Sequence, residues 1–351
     1  MQISDLARED QRVAEATLRR LAFAYRPQVA ENVFSSAHLE RLGTLCAIAD
    51  ATPLENFDDE RARAVLARAE ILVTGWGCPR LDSDVLALAP RLKLVAHAAG
   101  TVKSFIAPEI FEAGIIVCNA ASANALPVAE FTLAAILFAN KQVLRYRDRY
   151  RANRDAVRWE DLSHPSVGNW RKTIGIVGAS RIGRRVIELL QPFDLTVLVH
   201  DPYLGDDEAT AMGAEAVDLD DLMRRADVVS IHAPAIDATH HMIDARRLAL
   251  MRDGATLINT ARGSLIDQDA LVRELVSARL NAVLDVTTPD TLPATSQLYD
   301  LPNVLLTPHI AGALGGERER LGALVVAEIE RYVRGIPLAH AIAAETLHLQ
   351  A

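Results

Sequence analysis

The chain has 351 residues, half of them hydrophobic, and a formal charge of −9 that no single run carries. That length accommodates two domains of ordinary size, each with its own core. Basic residues, almost all arginine, are scattered rather than striped, so no nucleic-acid partner is expected, and Cys46, Cys78 and Cys118 are too widely spaced for a disulfide framework or a zinc site.

In chain order, short β-branched or apolar runs alternate with helix-like segments almost from end to end, the pattern of parallel sheets covered by helices. The N-terminus mixes both charges and lacks the apolar centre of a secretory signal, so a cytoplasmic protein is expected. The first series of strands is predicted at Leu21–Tyr25, Leu45–Ala49, Ile71–Thr74, Lys93–His97 and Ile115–Cys118, with helices over Asp58–Ala69 and Asp82–Leu88. Leu126, Leu133, Leu137 and Leu144 recur at helical spacing and predict one long helix to about Arg151. Within it, the strongly apolar run Phe131–Ala139 falls short of the roughly 20 residues that span a bilayer, so no membrane-crossing segment is expected.

After a polar, Pro- and Gly-containing connection from Arg154 to Asn169, a second series is predicted at Thr173–Val177, Leu195–His200, Val228–His232, Ala255–Asn259, Ala282–Val286 and Val304–Leu306. A final helix follows over Leu314–Arg334. The strand Thr173–Val177 runs straight into Gly178-Ala-Ser180-Arg181-Ile182-Gly183, and a helix continues from Arg184 to Leu190. Strand, glycine loop and helix start in this order present backbone N–H groups to a pyrophosphate. Asp201, at the end of the next strand, suits the ribose hydroxyls of NAD and would repel the 2′-phosphate of NADP. Ser180 stands where such loops usually have glycine. Its Cβ would press the pyrophosphate outward, or its hydroxyl would donate to a phosphate oxygen, so weakened rather than lost binding is expected.

Three later stretches fall in one family's order and spacing: Asn-Thr-Ala-Arg-Gly-Ser-Leu-Ile-Asp at 259–267, Leu-Asp-Val-Thr-Thr-Pro-Asp-Thr-Leu-Pro at 284–293, and Leu-Thr-Pro-His-Ile-Ala-Gly at 306–312. With them, the chain resembles the D-isomer-specific 2-hydroxyacid dehydrogenases, strongly in its second half and more weakly before residue 91. The resemblance implies an α/β fold of two doubly wound parallel-sheet domains. A Rossmann NAD-binding domain (125–308) would be inserted in a flavodoxin-like substrate domain formed by 1–124 and 309–351, with substrate in the cleft and a homodimer through the long helix.

It also implies roles. Arg262 matches the substrate-binding arginine, and a guanidinium fork suits a 2-oxo acid's carboxylate better than a lysine would. His309 matches the acid/base histidine. Asp290 stands where the family has the glutamate that orients that histidine, and is one methylene shorter. Asp285 matches the acceptor of the nicotinamide carboxamide. Arg181, Ile182, Ala233, Thr260 and Gly312 match further cofactor positions. Gly100 and Thr101, in His97-Ala98-Ala99-Gly100-Thr101-Val102-Lys103, match the backbone cradle for the substrate carboxylate, where the family has an Arg-Ala-Gly-x-Gly type sequence. Trp76 could wall the pocket, and His97 or Lys103 could meet a phosphate. The pair His240–His241 offers no metal site. The implied activity is NAD-dependent interconversion of a 2-oxo acid and a D-2-hydroxy acid. Asp290 argues against a formate-oxidising variant, whose histidine pairs with glutamine, and the alternative on the same fold is an NAD(H)-sensing binding protein of the corepressor type.

Overall fold

A computed structural model describes residues 18–154 and 167–349. The extreme N-terminus and most of the Arg154–Asn169 connection therefore lie outside the described residues. The chain divides into two compact units, residues up to Asn124 with those from Ala313 on, and Ala125–Gly312. The return falls at Ala313 rather than at 309, because the Ile310 and Ala311 N–H groups donate to Asp285 and hold four more residues to the second unit.

The first unit is a five-stranded parallel sheet of β1 (Arg19–Ala24), β2 (Cys46–Ala47), β3 (Ile71–Thr74), β4 (Leu94–His97) and β5 (Ile116–Asn119), in the order β2-β1-β3-β4-β5. β3 and β4 are buried throughout, as apolar runs covered on both faces must be. One face packs Leu21, Phe23, Val73 and Leu94 against Leu321, Val325 and Ile329 of the helix Glu319–Val333. The other packs Leu72, Val95 and Val117 against Leu66, Val85 and Ile110.

The second unit is a seven-stranded parallel sheet: β6 (Lys172–Val177), β7 (Leu195–His200), β8 (Glu215–Ala216), β9 (Val228–Ile231), β10 (Thr256–Asn259), β11 (Asn281–Leu284) and β12 (Val304–Leu306). Its order is β12-β11-β10-β9-β6-β7-β8. β8 has two residues at the sheet edge, too short to show a period in the sequence. Gly175, inside β6, is needed because a Cβ there would sit 2.4 Å from Leu222 Cδ2 of the helix above. Helices start where side chains can take their free N–H groups, as Asp59, Asp218, Asp244 and Asp267 do for Ala62, Asp221, Arg247 and Ala270.

The single helix expected from Leu126 to Arg151 is two, Ala121–Asn140 and Val143–Ala152. Gln142 between them takes φ +49°, a left-handed conformation that no continuous helix contains. The first helix starts earlier than expected, and at 20 residues it is long and apolar enough to cross a bilayer by length and composition, with under half of it buried. Ala129, Ala135 and Ile136 nonetheless pack among Ile174, Ile176 and Ile258 of the sheet, as a core helix does. The final helix likewise begins later, at Glu319, after a 3-10 turn over Gly315–Arg318.

Candidate active site

In an open parallel sheet the loops leaving the carboxyl ends of the strands share one edge, where ligands bind. In the second unit, β6 delivers the glycine loop to that edge. Gly178 has φ +99°, and a Cβ on it would meet Ala233 N at 2.7 Å and His232 C at 2.8 Å. A Cβ on Gly183 would lie 2.0 Å from Gly178 O, so only glycine lets the helix Arg181–Leu190 start this close to the strand.

Ser180 is not strained. Its backbone (φ −64°, ψ 178°) is ordinary extended chain, and its Oγ accepts from Gly183 N at 3.3 Å as the helix cap. The Cβ is accommodated, and the hydroxyl proton stays available to a ligand. Among the described residues the N–H groups of Ser180, Arg181 and Ile182 have no acceptor, as expected of a helix start that receives an anion. Asp201 Oδ2 accepts from Ala179 N (2.7 Å) and Oδ1 from Tyr203 N (2.9 Å), so the carboxylate also ties the loop to β7. These features fit the pyrophosphate and ribose of a dinucleotide. Ala233 is buried behind the loop. Its neighbour His232 binds Ser230 Oγ through Nε2 (2.9 Å), while its buried Nδ1 has no partner among the described residues. Burial drives its pKa down to about 3.

β10 delivers Arg262. Asn259 shapes this loop, accepting from Ala261 N (3.0 Å) and donating Nδ2 to Arg262 O (2.8 Å), a role that nothing in the sequence distinguished. Thr260 is buried with its hydroxyl 3.2 Å from that of Thr132. Arg262 Nη1 donates to Ala261 O at 2.7 Å. Gly263 has Thr287 C and O each 2.2 Å from where its Cβ would be, so glycine brings this loop into backbone contact with the loop after β11.

The latter loop carries Asp285, 2 % exposed. Its Oδ1 accepts from Thr307 Oγ1 (2.6 Å) and Ile310 N (2.7 Å), and its Oδ2 from Ala311 N (2.9 Å). Three donors of the loop after β12 thus occupy the carboxylate expected to face nicotinamide, leaving about one of its four lone-pair positions. Thr307 escaped sequence reasoning because its partner lies on another strand. The same loop holds His309 at φ +57°, with its N–H donating to Asp285 O (2.9 Å) and Thr307 O (3.1 Å). A non-glycine residue in this region is strained, and the bonds to Asp285 maintain it. The exposed His309 side chain and Arg262 leave the ends of β12 and β10, which flank β11. Gly312 is the last residue of the unit.

No hydrogen bond or ion pair joins Asp290 to His309 among the described residues, and the Asp290 charge acts instead on Arg262, supporting a guanidinium whose pKa burial lowers. The close approach at Gly263 brings the Thr287 backbone against the loop that carries Arg262, and Thr287 Oγ1 in turn donates to Pro289 O and Asp290 O.

In the first unit, Gly100 and Thr101 follow β4 at the corresponding edge. Neither His97, 2 % exposed and so unable to reach a phosphate, nor Trp76, whose ring lies 5.3 Å from the Arg318 guanidinium, is a free surface group. His240 and His241 stack at 3.9 Å, and among the described residues no group of three or more His, Cys, Asp or Glu could hold a metal.

Comparison with known proteins finds a match over residues 133–311 to the family model "D-isomer specific 2-hydroxyacid dehydrogenase, NAD binding domain". The chain is 32% identical over 269 residues to D-3-phosphoglycerate dehydrogenase of Methanocaldococcus jannaschii, covering 76% of this chain and 50% of that one. It therefore spans about half the length of the curated relatives of this kind that it matches. It is 32% identical over 257 residues to glyoxylate reductase of Korarchaeum cryptofilum, covering 73% of this chain and 77% of the relative. Among solved structures it is similar to D-lactate dehydrogenase from Aquifex aeolicus, complexed with NAD and lactic acid. That likeness has a TM-score of 0.67 and 28% identity, covering 90% of this chain and 96% of that one.

Proposed function

Because the chain belongs to the D-isomer specific 2-hydroxyacid dehydrogenase family, and carries that family's NAD-binding domain, we propose that it interconverts a small 2-oxo acid and the corresponding D-2-hydroxy acid. The observation that carries this reading is Asp285, whose backbone oxygen takes the His309 N–H and whose carboxylate takes those of Ile310 and Ala311, holding His309 in a left-handed backbone with one strand, β11, between it and Arg262. In reduction, the Arg262 guanidinium binds the carboxylate and polarises the adjacent carbonyl. His309, as imidazolium, gives its proton to the carbonyl oxygen, and in oxidation the imidazole takes it from the hydroxyl. NAD, when bound, supplies or accepts the hydride. In the first unit, the amides at Gly100 and Thr101 are donors that suit a carboxylate. Asp285 fixes the histidine's backbone and has acceptor capacity left for a carboxamide. Asp290 tunes Arg262 rather than orienting His309. Asp201 favours NAD over NADP by charge. Backbone donors at Ser180, Arg181 and Ile182, next to Gly178 and Gly183, receive the pyrophosphate, with Ala233 and Thr260 closing the site through backbone.

The assembly is a homodimer. Helix Ala121–Asn140 and the start of Val143–Ala152 line a groove of about 710 Å³ with Phe131, Phe138, Val143, Leu144, Pro302 and Leu305, and Phe138 is 58% exposed. An apolar groove beside an exposed phenylalanine is supported best by a second copy of this chain covering it.

The test is oxidation of NADH and NADPH by purified protein with glyoxylate, hydroxypyruvate, pyruvate, phenylpyruvate and 3-phosphohydroxypyruvate. NADH-dependent turnover abolished by His309→Ala supports the reading, and the preferred acid names the substrate. NADH binding with no turnover would favour the sensing role instead.

A further inference from the structure

The first unit contains a buried histidine that the proposed chemistry does not use. His97 ends β4, its ring lies 4.8 Å from that of Phe105, and its Nδ1 is 2.9 Å from Thr74 Oγ1. Thr74 and His97 are register partners on β3 and β4, so this bond joins the two strands at their carboxyl ends. Burial keeps the ring neutral, with a pKa near 3, against the smaller opposing effect of a backbone hydrogen bond at Thr101.

The loop after His97 is held from both sides. Ala98 N donates to Thr74 O (2.7 Å), Asn119 Nδ2 to Gly100 O (2.8 Å), and Ala120 N to the oxygens of His97 and Ala99 (both 3.0 Å). The carbonyls of His97, Ala99 and Gly100 are thus engaged, whereas the N–H groups of Ala99, Gly100 and Thr101 have no acceptor among the described residues. Asn124 Oδ1 accepts from Ala313 N, and its Nδ2 lies 3.7 Å from where a Cβ of Gly100 would be. Consecutive unpaired amides beside a side-chain amide, at the carboxyl end of a parallel strand, form a receptor for an anion.

We propose that His97 is a positioning residue for substrate binding: its ring, tied to the Thr74 hydroxyl at the carboxyl ends of β3 and β4, sets the direction in which the three amides that follow it meet the substrate carboxylate. The inference rests on the function proposed above for its substrate. It does not need turnover to be tested, because a carboxylate can bind without reacting. A charged or purely apolar side chain at 97 would leave either a buried charge or an unsatisfied Thr74 hydroxyl, and in both cases would release the loop.

The experiment measures oxalate binding by calorimetry on the NAD-loaded protein, and 2-oxo acid kinetics where turnover exists, for wild type, Thr74→Val, Thr74→Ser, His97→Phe and His97→Gln. Thr74→Val changes one buried atom and preserves shape, so it is informative even if His97→Phe fails to fold. Thr74→Val is expected to weaken oxalate and raise KM about five- to tenfold, the loss of one buried hydrogen bond. kcat should stay within about twofold, NADH affinity should not change, and Thr74→Ser and His97→Gln should restore binding. Oxalate binding with no turnover would overturn the dehydrogenase reading and leave this one standing. No oxalate binding by wild type, or equal binding by wild type and a folded Thr74→Val, would overturn the role of His97.

Discussion

Replacing Asp285 by asparagine changes one atom and removes the charge from all three bonds that its carboxylate makes to the loop of His309. The carboxylate takes three hydrogen bonds at 2.6, 2.7 and 2.9 Å from Thr307, Ile310 and Ala311. Bonds to a charged group contribute about 1.5–3 kcal/mol each, and a buried donor left facing another donor costs about 1–3 kcal/mol. Asparagine keeps one oxygen, which can serve the pair at Oδ1, but turns its NH₂ on the Ala311 N–H. The loss is one charge-assisted bond plus one unsatisfied pair, about 2.5–6 kcal/mol. Holding a non-glycine residue such as His309 in the left-handed region costs about 1–2 kcal/mol, so the weakened loop no longer maintains it. At 1.36 kcal/mol per factor of ten, a loss of about 3 kcal/mol in the competent loop lowers kcat about a hundredfold. Steady-state reduction of the preferred 2-oxo acid measures this, and NADH affinity by fluorescence separates causes. A fall in kcat at unchanged affinity is expected, an affinity loss alone would return Asp285 to a purely carboxamide-binding role, and kcat within about threefold of wild type would refute the reasoning.

Gly183→Ala puts a methyl 2.0 Å from Gly178 O, so the glycine loop must open; NADH affinity should fall more than about tenfold, and titration of the folded variant checks it. Asp290→Asn removes a negative charge beside Arg262. It should lower KM for the oxo acid by no more than about threefold and leave the pH–rate profile in place. A profile moved to lower pH would mean that Asp290 serves His309 after all. His97 and His232 are both held neutral, with pKa values near 3 against an ordinary 6.5. Only the unfolded chain takes up their protons between those values, so denaturant stability should decline as pH falls from about 6.5 towards 3, by up to about 1.4 kcal/mol per pH unit for each histidine. His232→Gln should flatten that slope. Phe138→Glu places charge on the apolar groove and should shift the proposed dimer to monomer in light scattering; an unchanged mass would refute the groove as its interface.

Most strands were legible because each is a short apolar run bounded by turn residues within its own few positions, as at Ile71–Thr74, Leu195–His200 and Val304–Leu306. The break at Gln142 was not legible, since apolar spacing continues through it to Leu144 while the backbone turns left-handed. The glycine loop was legible for a local reason too: Gly178 and Gly183 stand where a strand meets a helix, and Ser180 proved an ordinary cap because its φ never required glycine.

What the sequence determined by itself was the kind of fold, the glycine loop between strand and helix, and the family motifs in which Arg262, Asp285 and His309 stand. All of these are written in contiguous stretches where hydrophobic period and turn chemistry act over a few residues. Only the tertiary structure decided what those groups touch. Asp285 meets donors 22 to 26 positions away because β11 and β12 are neighbours. Thr287 lies against the loop of Arg262 because Gly263 lets two strand-end loops touch, and His97 is a buried strut because β3 brings Thr74 beside it. Strand order sets these contacts, and strand order is the outcome of packing whole sheets and helices together rather than of any local run of residues.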